Sequence, residues 1–142
     1  MTDADPAETY EQRVQAIQLA NQPILDGFET WLRQSGLSEP TIKDHVDNMR
    51  LFSRYLLLYA YSLRRLDEAT EGDVYYFLED WFPRKALWAS VASMKVYLAS
   101  FKKFFTWMGA TGLVSPEIVE DVLSTLKDDR NFFLRKVAEE FP

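Results

Sequence analysis

Apolar residues recur every three or four positions through nearly the whole chain, and little interrupts them. With 3.6 residues per turn, that spacing puts side chains on one face of an α-helix. Five glycines and six prolines punctuate 142 residues, so helices have few places to stop. The longest run is at 85–108, where Leu87, Val91, Met94, Leu98, Phe101, Phe105 and Met108 alternate four- and three-residue steps. No strand-like alternation of any length occurs. The pattern predicts an all-α bundle.

The breaks follow from capping chemistry. Tyr10, Val14 and Ile17 define a helix over 7–21, and Pro23 predicts a break or kink, because proline lacks a backbone donor. Ile24, Leu25, Phe28, Trp31 and Leu32 continue one face to Gly36, a C-terminal cap. Ser38 caps the next helix, with Pro40 in its first turn and Ile42, His45, Met49, Phe52, Leu56 and Tyr59 in three- and four-residue steps. Thr70 and Asp73 form a capping box ahead of Val74, Phe77, Leu78 and Trp81, and Pro83 is expected to end that helix. Gly109 and Gly112 are expected to stop the 85–108 helix. Ser115–Pro116 opens another through Ile118, Val119, Val122, Leu123 and Leu126. A last amphipathic piece carries Phe132, Phe133, Val137 and Phe141. The chain divides into an N-terminal helical extension (1–23), a central helical domain (24–114) and a C-terminal helical extension (115–142), which packs on the same domain or in trans.

Hydrophobic residues make up 47% of the chain and aromatics 15%, enough for a genuine core. There is no cysteine, so no disulfide framework and no thiolate metal site. The start, "MTDADPAETYEQ", lacks the basic and apolar regions of a signal peptide. The longest apolar run, "YLLLYAY", is too short to span a bilayer. A soluble, cytoplasmic protein with no membrane association is expected. The single histidine, His45, falls on an apolar helix face, where a core imidazole is the plainer reading than a catalytic base. Asp67–Glu68 and Asp128–Asp129 sit at helix ends, where acids are ordinarily solvated. No metal-ligand spacing and no phosphate-cradling glycine loop occurs. No cofactor, no small-molecule substrate and no enzymatic activity is expected.

Charge is unevenly placed. The chain carries a net −6, yet residues 84–113 hold Arg84, Lys85, Lys95, Lys102 and Lys103 with no acid among them. On an ideal helix, Lys95 and Lys102 nearly eclipse one another, with Trp88 on the same line and Lys103 beside it. That stripe lies about 90–100° from the core face. The helix over 38–59 repeats the arrangement with Lys43, Arg50 and Arg54, although Asp47 stands between the first two and can pair with either. Two readings remain open. The cations form a solvated face, paired with acids elsewhere in the fold, or cations of both helices merge into one surface for a polyanion.

The order of motifs resembles a known family. "FETWLRQSGLSEPTIKDHVDNMRLFSRYLL" (Phe28–Leu57) is similar to the opening of the core-binding domain of phage integrases and other tyrosine recombinases. Gly36-Leu37-Ser38, Thr41, Phe52 and Tyr55-Leu56 carry the likeness. "LRRLDEATEGDVYYFLEDW" resembles the family's next segment through Ala69-Thr70, Asp73-Val74 and Phe77-Leu78. "SMKVYLASFKKFFTWMGATGLV" resembles its following helix through Leu98, Phe101, Phe104-Phe105, Trp107, Gly112 and Val114. The likeness covers residues 24–114. It implies a SAM-like bundle of four to five core helices whose second and fourth helices face duplex DNA. Lys43, Arg50, Arg54, Arg84, Lys85, Lys95, Lys102 and Lys103 would then meet phosphates, and Trp88 a sugar or groove wall. After Val114 the family continues into a catalytic domain with a nucleophilic tyrosine. Here "SPEIVEDV" follows and the sequence ends at 142, so strand cleavage is not expected. The alternative is a protein-interaction or dimerisation module that keeps the bundle without binding DNA, with homodimerisation through 131–141.

Overall fold

The structure, a computed structural model, describes residues 9–60 and 63–140. Helix α1 spans Tyr10–Gln34, α2 Glu39–Arg54, α3 Glu71–Tyr76, α4 Phe82–Lys85, α5 Val91–Ala110, α6 Pro116–Asp128 and α7 Arg130–Glu140. Wider π-helical turns at Tyr55–Tyr59 and Phe77–Trp81 extend α2 and join α3 to α4. No strand occurs among the described residues, and the fold is all-α.

Most caps act as their residue types require. Thr9 and Gln12 close a capping box at α1, and Ser38, Ser90 and Ser115 each accept a backbone N–H of the first turn that follows. The Thr70 N–H donates to Asp73 Oδ2 at 2.9 Å. Gly36 (φ +81°) and Gly112 (φ +79°) take the left-handed conformation that ends α1 and α5.

Four expectations are corrected. Pro23 does not break the helix: α1 runs through it, so Tyr10–Gln22 belong to the same helix as Ile24–Leu32. Pro23 lies on the exposed side, where water can satisfy the carbonyl that loses its partner, while Asn21, Ile24 and Leu25 on the other side are buried. Pro83 does not end its helix but sits in the first turn of α4, after a π turn whose widened ring relieves the proline clash. The 85–108 helix starts late. Ala86 turns extended and Ser90 caps α5, so Leu87 (94% exposed), Trp88 and Val91 leave the core and Trp88 does not share a helical line with Lys95. Gly109 lies inside α5 rather than at its stop, because α6 approaches there: a Cβ at Gly109 would stand 2.6 Å from Val119 Cγ2.

The core is aromatic. Phe52 of α2, Phe77 after α3 and Phe101 of α5 meet edge to face, with centroids 4.8–5.7 Å apart, and all three are fully buried. Each such ring contributes about 1.5–3 kcal/mol by leaving water, with a further ~0.5–1.5 kcal/mol from ring pairing. Phe28 joins α1 to α5 through Phe104, 5.0 Å away. The C-terminal helices close the same core: Val122, Phe133 and Val137 have no exposed surface, and Phe132 stacks on Tyr75. Phe141 and the first two residues of the helix expected from 7 lie outside the described residues.

Candidate nucleic-acid interface

Helices α2 and α5, which carry most of the predicted cations, are registered by a buried polar contact. Ser100 Oγ of α5, fully buried, lies 2.6 Å from His45 Nδ1 and 3.0 Å from Asn48 Nδ2, both on α2, and 3.0 Å from the Val96 carbonyl oxygen. Serine has one proton to donate. Given to Val96, it leaves the oxygen to accept from Asn48 and from the Nδ1–H tautomer of His45, which satisfies all three contacts. Burial lowers the His45 pKa, and the nearby positive charge of Lys103 lowers it further. The imidazole is thus a neutral core strut, the plainer of its two readings.

Carboxylates occupy three of the eight predicted contacts. Lys43 and Arg50 both pair with Asp47, Arg50 at 3.2 Å. Arg84 makes a two-pronged pair with Asp80 at 2.8 and 2.9 Å, which holds that carboxyl below its usual range. The acid-free stretch therefore does borrow an acid, from one turn upstream. Arg54, Lys85, Lys95 and Lys102 are exposed and Lys103 half-buried, and none has an ion-pair partner among the described residues.

Four of the predicted cations line two separate grooves, and Lys85 and Lys103 line neither. Arg50 and Arg54 line a cleft of about 390 Å³ with Trp88 and Tyr97, between the end of α2 and the start of α5. Asp47 shares that cleft, and Asp44 and Asp47 line an adjoining one. Lys95 and Lys102 line an open groove of about 610 Å³ on the other flank of α5, where Lys127 and Arg130 join them. Sequence reasoning missed Lys127 and Arg130, which belong to helices whose docking against α5 no local pattern announces. Lys103 lies near enough to α2 for its charge to lower the His45 pKa.

The model of the phage integrase N-terminal SAM-like domain family matches residues 25–112, from within α1 to the turn after α5. The chain belongs to that family. Its SAM-like segment thus ends where Gly112 closes α5, and α6 and α7 follow as helices packed onto it. No curated protein and no solved structure matches. The family membership supports a recombinase-related, DNA-binding context. The match is to the N-terminal domain alone. Among the described residues no group of side chains is arranged to hold a metal ion, and no helix is long and apolar enough to cross a membrane.

Proposed function

We propose that this SAM-like integrase domain binds duplex DNA through the phosphate backbone, using Arg54, Lys85, Lys95, Lys102 and Lys103, with Lys43, Arg50 and Arg84 exchanging their carboxylate partners for phosphate. The observation that carries the reading is that α5, a long helix of the family match with no acid in it, presents three lysines that no carboxylate of the described residues neutralises. A lysine free of an ion pair gives up only hydration and counterions when it meets phosphate, so its whole charge is available to a polyanion. Such contacts position a protein without reading sequence. Trp88, 57% exposed beside Arg50 and Arg54, supplies a flat apolar face for a sugar or groove wall.

With the five unpaired cations each neutralising a phosphate, log K falls with log salt at a slope near −4.5, and affinity is weak, about 10⁻⁴ to 10⁻⁶ M. Fluorescence anisotropy of a labelled duplex at several salt concentrations measures both. The Lys95→Glu, Lys102→Glu, Lys103→Glu triple variant is expected to lose binding while keeping its helical circular dichroism. Unchanged binding by that folded variant, or no binding by the wild type in low salt, refutes the reading.

A further inference from the structure

Beyond the matched segment, α6 and α7 bring Lys127 and Arg130 to the groove that Lys95 and Lys102 line from α5. All four are solvent-accessible, and none makes an ion pair among the described residues. No acid lines the groove. In a chain of net −6, four unneutralised cations around one open concavity would repel one another unless an anion, or the ions of the solution, lay among them. The floor beneath them is apolar, with Leu98 and Leu126 buried and Ala99 and Leu123 open to solvent in part, but every charge around it is positive, which favours a polyanion.

We propose that Lys127 and Arg130 are DNA-phosphate contacts, so that α6 and α7 extend the DNA surface of the SAM-like domain along the outer flank of α5. The proposal rests on the DNA-binding reading above. Two helices that close the hydrophobic core thereby also complete the phosphate track, a contribution that the family segment cannot make alone. Lys127 comes from the last turn of α6 and Arg130 from the first residue of α7, so the short α6–α7 junction sets the spacing of the pair.

The test is a salt titration of a labelled duplex of about 20 base pairs with the full chain, in which every phosphate that a cation neutralises adds about 0.9 to the steepness of log K against log salt. The Lys127→Gln, Arg130→Gln double variant is therefore expected to flatten the slope by about 1.8, as the Lys95→Gln, Lys102→Gln pair also should. Arg13→Gln, an exposed cation of α1 outside the groove, controls for net charge and should leave the slope alone. If the Lys95/Lys102 variant flattens the slope and the Lys127/Arg130 variant does not, the extension is wrong and the underlying reading stands. If the Arg13 control flattens it equally, the effect is bulk charge and the extension again fails. Absence of duplex binding by the wild type overturns both. A Lys127/Arg130 variant that alters self-association in sedimentation but not the DNA slope assigns the groove to a protein contact, which also overturns it.

Discussion

His45 shows how one side chain can report on the registry of the two cation-bearing helices. In the unfolded chain its imidazole titrates near the ordinary value of 6.5, whereas burial against Ser100, with Lys103 nearby, depresses the folded value. Above both values the residue is neutral in either state, and its titration does not affect stability. As pH falls through 6.5 the unfolded state takes up a proton that the folded state refuses, so stability declines until the folded value is passed. Chemical denaturation is expected to show a lower midpoint at about pH 5.5 than at about pH 7.5, and the decline should shrink in His45→Gln, which cannot titrate. Lys103→Gln should lessen it in part, since that charge is the second cause of the shift. An equal decline in wild type and His45→Gln would place the pH dependence in other groups, though not in the Asp80 carboxyl, which Arg84 holds below its ordinary 3.8 and which stays ionised in both states across this window.

Helix–helix approach is decided by single positions, and Gly109 is the sharpest of them. Its place in α5 costs about 1 kcal/mol of helix propensity relative to alanine, yet alanine would bring a methyl to 2.6 Å from Val119 Cγ2 of α6. Because Val119 branches at Cβ it has little freedom to move aside, and overpacking of this kind costs about 1–3 kcal/mol. Gly109→Ala should therefore lower stability despite the better propensity, and Val119→Ala in the same chain should restore it. A double-mutant cycle in denaturant measures the coupling, and additivity within about 0.5 kcal/mol would dismiss the contact. Gly109 also marks where sequence reading stops. Capping motifs at Ser38, Thr70 and Ser115 are local chemistry, so those helix starts are legible from neighbouring residues. The behaviour of Pro23 and Pro83 is not, because buried neighbours and a π turn, both tertiary or backbone matters, override proline's local preference. Leu87 and Val91 fit the α5 period by spacing alone, but Ser90 begins the helix after one and at the edge of the other.

At the scale of the molecule, the family segment and the helices beyond it share one core, and the position of α7 follows from that. Phe133 and Val137 project into the chain's own interior, and Phe132 stacks on Tyr75 at 6.4 Å. Lys136 reaches Glu79 at 3.9 Å, a partly exposed pair of small energetic weight. The all-α class and most of this core are legible from periodicity, whereas the meeting of Lys95 and Lys102 with Lys127 and Arg130 is not, because it depends on how α6 and α7 fold back over α5. Removing the Phe133 ring should cost about 3–5 kcal/mol, a large share of the stability of a domain this size. If α7 belongs to its own chain, Phe133→Ala lowers the unfolding midpoint by the same amount at every protein concentration. A helix passed to a second copy would instead tie folding to association, and the wild-type midpoint would climb as concentration rises about a hundredfold. Thermal unfolding across that range separates the two arrangements. A concentration-independent midpoint leaves a monomer whose α6 and α7 flank the SAM-like segment of their own chain.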